Sequence, residues 1–243
     1  MDRLNGLIQR FIDGKPALGT FIPNGSIEDA VWVYNSGYDF VVLEMEHSGP
    51  DFPSLRISLQ FLLDRAQVAE TGLRPEITPL VRIPPNSRER NQWVVKQTLD
   101  YGVYGLVVPH LNTPEEAVAW CQAARYPQLR EATDYEPQGL RGTAPANAQR
   151  YWGVDYDTYY VRADLWPLDP DGELLLMPLV EEEEGGHNIR DILKAAPGVG
   201  AIFLGEVDLS VSLGYPMQRE HPDVVAARDI VLAACKDAGV PCG

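Results

Sequence analysis

The sequence predicts an α/β fold, a (β/α)8 (TIM) barrel, and three observations carry that prediction. Short apolar runs alternate with helical patterns along most of the 243 residues, the order that builds parallel strands covered by helices. The runs are almost continuously apolar, as strands buried on both faces must be. The glycine-rich GxGxxG loop that an open doubly wound sheet carries after its first strand is missing.

The elements follow in order. GTFIP (19–23) reads as the first strand, and SIEDAVWVYNSG as a helix with Ser26 and Asp29 in capping-box spacing and Gly37 as its stop. FVVLEME (40–46) is the second strand, followed by a less regular helix over 53–65. EITPLVRIP (76–84) is the third, after which Asn86 is expected to cap a helix running to Leu99. GLVVPH (105–110) is the fourth. Thr113-Pro114-Glu115-Glu116 combines a cap, a first-turn proline and a capping-box acid, predicting a helix to Arg125. Residues 126–172 are rich in Tyr, Pro, Asp and Gly and read as a long excursion with some helix near 143–163. GELLLMPLVE (172–181) and GVGAIFLG (198–205) are strands five and six, with a short helix at 187–195 between them. DLSVSLG and 223–238 are helical, and GVPCG looks like the start of strand seven. We therefore expect one barrel domain over 1–243, with the last part of the barrel lying outside the chain.

Hydrophobic residues make up 45% of the chain, enough for one sizeable core. Acids outnumber bases 35 to 20, a net charge of −15. That balance sets nucleic acid aside as a partner, and an anionic substrate needs a local cation to overcome the background field. Cys121, Cys235 and Cys242 form no CxxC pair, so reduced thiols and a cytoplasmic location are expected. The amphipathic start MDRLNGLIQRFIDG lacks an apolar signal core, and no run approaches membrane-spanning length.

In a barrel, chemistry gathers at the carboxyl ends of the strands. Here strand two ends in Glu44, Glu46 and His47, strand three in Arg82, and strand five in Glu181 to Glu184; strand six runs into Gly205-Glu206-Val207-Asp208. Each has a plainer reading. His47 alone suits a hydrogen-bonded structural role, and Arg82 suits a salt bridge to Glu44 or Glu46. The acidic run suits a helix start, and Asp208 suits a helix cap. Their convergence on one rim favours function: Arg82 as a fork for an oxygen anion, and one Glu with one Asp as a sparse oxygen site for a divalent ion. His110 also stands at a strand end.

The ordered set EMEH, PLVRIP, GLVVPH, RYP…GLRG, PLVE and GVGAIFLGEVDLSVSLGYP resembles the HpcH/HpaI aldolase family, from about residue 17 onward. The resemblance implies a phosphoenolpyruvate/pyruvate-type barrel and a class II lyase. Such an enzyme reversibly cleaves a 4-hydroxy-2-oxo acid to pyruvate and an aldehyde through a metal-stabilised enolate. It implies His47, Arg82 and Asp100 as catalytic residues, with Asp100 orienting His47. Arg82 and the Gly205, Glu206, Val207, Asp208 loop would hold substrate. Glu181 (or Glu182) and Asp208 would hold Mg²⁺, Mn²⁺ or Co²⁺. A homo-oligomer, hexameric in the family, is also implied. Three positions depart from the family pattern: Leu179 stands for a glutamine, Glu206 for a proline and Met45 for a glycine. Oxaloacetate decarboxylation, macrophomate-synthase-like addition or non-catalytic oxo-acid binding are the alternatives on the same site. No lysine ends a strand in this reading, which sets a Schiff-base aldolase aside.

Overall fold

A computed structural model describes residues 2–85 and 91–243. Its strands are β1 (Gly19–Pro23), β2 (Phe40–Glu44), β3 (Thr78–Arg82), β4 (Gly105–Val108), β5 (Leu165–Trp166), β6 (Leu174–Val180) and β7 (Phe203–Leu204). All pairings are parallel, in the order β1-β2-β3-β4-β6. The far edge of β6 is shared: β5 lies along its start and β7 along its end. Beyond β7 the chain terminus adds one more partner, with Cys242 bridging Ile202 and Leu204 N–H donating to the Gly243 carbonyl at 2.7 Å. Among the described residues no ladder bond joins β1 to this far edge, yet Phe21 of β1 meets Phe203 of β7 edge-on, ring centroids 5.7 Å apart. The sheet is therefore curled until its two ends face each other.

Strand residues alternate between two cores, as a period of two requires. Val42, Leu80, Val107, Leu175, Met177 and Leu179 face inward with Ala201. Val41, Leu43, Val81, Leu106, Val108 and Leu176 face outward. They meet the helices α2 (Ile27–Tyr34), α3 (Phe52–Phe61), α5 (Gln92–Leu99), α6 (Pro114–Ala124) and α9 (Glu183–Ala195). Helix α1 (Gly6–Ile12) closes the amino-terminal end of the strands, pressing Leu7 and Ile8 into the inner core. Its cap Asn5 ties it to the starts of β4 and β6, bonding the carbonyls of Tyr104 and Glu173 at 3.0 Å.

Several expected boundaries shift. The helix expected at 53–65 is α3 followed by a separate α4 (Arg65–Thr71), because Asp64 caps a new start by accepting from Ala66 N–H. The strand expected over 198–205 shortens: its ladder with β6 covers Phe203–Leu204, with one further bridge from Ile202 to Cys242. Helix α9 begins at Glu183, well before 187. The Asn86 cap lies outside the described residues; α5 begins at Gln92. The capping box at Thr113 is present with both of its bonds.

The excursion carries α7 (Ala146–Trp152), α8 (Tyr156–Arg162) and β5. It packs through aromatic faces: Trp152 stacks on Tyr104 at 4.8 Å and meets Tyr159 at 4.7 Å. The last helices are α10 (Glu206–Ser212) and α11 (Pro222–Ala238). No described helix is long and apolar enough to cross a membrane.

Candidate active site

Strand alternation settles what the end of β2 does. Met45 is fully buried in the outer core, so Glu44 and Glu46 share the opposite face. Glu44 builds the turn, its Oε1 accepting the N–H groups of Glu46 (2.7 Å) and His47 (3.0 Å). Its Oε2 takes Arg82 Nε at 2.6 Å and Nη2 at 2.5 Å. Arg82 Nε also lies 3.2 Å from Glu46 Oε2, and the guanidinium rides over the Phe21 ring at 5.0 Å. Arg82 is thus held rigidly at the end of β3 between two carboxylates. Burial raises the Glu46 pKa, against the pull of Arg82 and both neighbouring histidines. His47 projects outward, its side chain 73% exposed and its Nε2 3.5 Å from Glu46 Oε2.

At the end of β6, Glu181 is only 3% exposed. Its Oε1 accepts the His110 N–H at 2.8 Å. Burial raises its pKa; the His110 N–H and ring lower it, and the charges of Glu46 and Asp208 raise it again. Gly205 lets the start of α10 come close: a Cβ there would stand 2.7 Å from Glu181 Cβ and 2.9 Å from its Oε2. Glu182 turns elsewhere. Its Oε1 lies 2.8 Å from His110 Nδ1, and its Oε2 accepts Asn112 Nδ2 at 2.7 Å.

Glu44, His47, Arg82, Glu181, Asp208 and Arg219 line one cavity of about 780 Å³, together with Gly205, Glu206 and Val207. Phe21, Leu179 and Phe203 give it an apolar wall. Glu206 leans toward α11, 3.3 Å from Arg228 Nη1, which offsets its charge beside the cavity. The Gly205 N–H is committed to the Val180 carbonyl (3.0 Å). The following N–H groups belong to the first turn of α10, which has no intrahelical acceptor for them. Asp208 is exposed at the mouth. Buried Glu181 beside the Gly205 cradle and exposed Asp208 line the same cavity, and both offer hard carboxylate oxygens. These residues fit a divalent cation.

Asp100 is not brought to His47. It caps the carboxyl end of α5, which returns from the tip of β3 to the start of β4, so it lies at the opposite end of the sheet. There it accepts Arg141 Nη2 at 2.8 Å. Burial raises its pKa while Arg141 pulls it down. The expected Asp100–His47 pair is therefore corrected within this chain: no bond joins them among the described residues.

A second acidic group, Asp134, Asp164 and Asp169, has ligand atoms within 4.8 Å of one another. Buried Arg125 already fills it, donating to Asp164 at 2.6 and 2.7 Å and to Asp134 at 2.6 Å. It also stands at the start of β5, away from the cavity. It is a structural cluster around an arginine. The residues sequence reasoning underweighted are His110, whose backbone is left-handed (φ 59°), and Arg219; a histidine directly after an apolar strand was the available signal for the first, and nothing local marks the second.

The family model described as HpcH/HpaI aldolase/citrate lyase matches residues 18–242. A hydroxypyruvate/pyruvate aldolase of Roseobacter denitrificans is 28% identical over 240 residues, covering 99% of this chain and 82% of that protein. A 5-keto-4-deoxy-D-glucarate aldolase of Citrobacter koseri is 28% identical over 208 residues, 86% of this chain and 68% of that protein. Among solved structures, an HpcH/HpaI aldolase/citrate lyase family protein from Burkholderia cenocepacia superposes with a TM-score of 0.77 at 32% identity, covering 98% of this chain and 83% of that one.

Proposed function

Since the chain belongs to the HpcH/HpaI aldolase/citrate lyase family and is an aldolase-type lyase, we propose that it reversibly cleaves a 4-hydroxy-2-oxo acid to pyruvate and an aldehyde with a divalent metal ion. One observation carries this reading: Glu181 is buried at the end of β6 and shares a cavity with Asp208, Arg82 and His47. Pyruvate and a keto-deoxy sugar acid name the relatives' reactions, and both are 2-oxo-acid chemistry.

Glu181 and Asp208 would hold Mg²⁺, Mn²⁺ or Co²⁺, which when bound supplies Lewis acidity to the oxygens of a 2-oxo acid. Arg82, pre-aimed by Glu44 and Glu46, places positive charge where an oxyanion develops and needs no reorganisation to do so. His47, exposed at the cavity beside Glu46, takes or returns the proton of the 4-hydroxyl; such a group contributes about 10²–10⁴-fold. Leu179, Phe21 and Phe203 exclude water from one side of the cavity. The first turn of α10 offers its N–H groups to the substrate carboxylate.

The test is pyruvate release from a panel of 4-hydroxy-2-oxo acids by chelator-treated and metal-restored protein. Activity should vanish on chelation and return with Mg²⁺ or Mn²⁺. Glu181→Gln and Asp208→Asn should lose metal binding, whereas His47→Ala should keep it and lose about 10²–10⁴-fold in kcat. Full activity after complete metal removal would overturn the proposal. Carbon dioxide release from oxaloacetate without any aldol cleavage would move the assignment to decarboxylation on the same site.

A further inference from the structure

Glu181 has two oxygens, and the neighbouring residues decide which one faces the cavity. Oε1 is occupied by the His110 N–H at 2.8 Å. Oε2 is the oxygen beside Gly205. His110 reaches this arrangement with φ at 59°, a left-handed backbone that is uncommon for a non-glycine residue and persists only where surroundings enforce it. The enforcing contacts are visible. His110 Nδ1 lies 2.8 Å from Glu182 Oε1, and Nε2 points toward Glu46 Oε1 at 3.7 Å. Glu182 is itself fixed by Asn112 Nδ2 at 2.7 Å, and Asn112 Oδ1 accepts the Gly185 N–H at 3.1 Å. Asn112 is 5% exposed, so its bond to Glu182 is sheltered from water, while the His110 and Glu182 side chains are partly exposed.

We propose that His110 is the positioning residue of the site, locking Glu181 Oε1 so that Oε2 is presented to the cation. Its ring, anchored on Glu182, which Asn112 holds in turn, ties the loop after β4 to the start of α9 and so fixes the ligand-bearing end of β6. This inference rests on the metal-dependent reading above. It adds a role for three side chains, His110, Glu182 and Asn112, that stand behind the cavity lining.

The experiment measures Mn²⁺ affinity of the 243-residue chain by calorimetry, with the metal-free melting temperature as the control for folding. His110→Ala removes the ring anchor and keeps the strained backbone; His110→Asn removes the ring but tolerates the left-handed conformation. Both should bind Mn²⁺ about 10–100-fold more weakly, the usual cost of losing support behind a metal ligand. Asn should retain more affinity than Ala. Glu182→Gln, which leaves the strained residue untouched, should weaken binding toward the low end of that range. Metal-free melting of Glu182→Gln should match wild type. If wild type binds Mn²⁺ and the His110 variants bind it as tightly, the positioning role is wrong while the aldolase reading stands. If wild type binds no divalent cation, the aldolase reading itself fails. Weakened binding that only follows a drop in metal-free melting temperature would also overturn the positioning role.

Discussion

Two adjacent glycines in the first turns of α9 should respond to alanine with opposite signs. Both are buried helical positions, so helix propensity alone favours alanine at each by ~1 kcal/mol. The surroundings differ. A Cβ at Gly186 would meet only Val231 Cγ2 at 3.9 Å, an ordinary contact. A Cβ at Gly185 would stand 2.2 Å from the Leu111 carbonyl oxygen and 3.1 Å from Asn112 Oδ1. That oxygen is backbone and cannot swing aside, so α9 or the loop after β4 must move by about an ångström in a close-packed interior. Overpacking of this kind costs ~1–3 kcal/mol. The shift also strains the Gly185 N–H to Asn112 bond, worth ~1 kcal/mol. Set against the propensity gain, Gly185→Ala should destabilise by ~1–3 kcal/mol. For a domain of this size each kcal/mol moves the melting temperature by ~2–4 °C. Gly185→Ala should therefore melt ~2–12 °C lower and Gly186→Ala ~2–4 °C higher, read by calorimetry on metal-free protein. Because the same loop carries His110, Gly185→Ala should also weaken Mn²⁺ binding, and Gly186→Ala should not. Equal or higher stability of Gly185→Ala would show that the close approach between α9 and the loop after β4 is not built as described.

Two further outcomes follow from charge and burial. Burial raises the pKa values of Tyr104, Tyr126, Tyr151 and Tyr159 above the ordinary phenol value of 10.0. Their contribution to stability is complete below that value and is lost as pH climbs from it through the raised folded values, because the unfolded chain ionises first; tyrosinate absorbance should appear together with loss of near-UV circular dichroism, and titration well before unfolding would contradict the aromatic packing of the excursion. Arg219 lines the cavity and makes no hydrogen bond or ion pair among the described residues, whereas Arg82 is paired with Glu44 and Arg228 with Glu206. Arg219→Ala should raise KM by about tenfold, ~1.4 kcal/mol, for a 2-oxo substrate with a distal carboxylate and leave one without it unchanged; equal effects on both would remove Arg219 from substrate recognition.

Local pattern was enough wherever a residue's role depends on its near neighbours in the chain. The Thr113 capping box and β1 emerge where the sequence puts them, and Glu181 stands directly at a strand end. The excursion at 126–172 was harder to read because its burial comes from flat aromatic faces. Trp152 on Tyr104 leaves no periodic aliphatic stripe. Helix α4 was missed because its face carries no fully buried residue, and so no apolar period announced it.

Residue order alone carries the alternation of strand and helix, the parallel sheet and the set of polar residues delivered to the strand tips. The barrel direction of each element follows from connectivity, and connectivity is written in the order of the elements. Side-chain partners, by contrast, are chosen by packing. Asp100 shares a helix-and-strand unit with Arg82, yet sits at the other end of the sheet beside Arg141, because a helix returning from one strand tip must finish at the foot of the next. Glu181 and Glu182 are chemically identical neighbours, and successive residues point to different sides. The contact with His110 and the close approach of Gly205 separate a cavity carboxylate from a clamping one. Such choices depend on atoms brought together from residues tens of positions apart, and no local spacing encodes them.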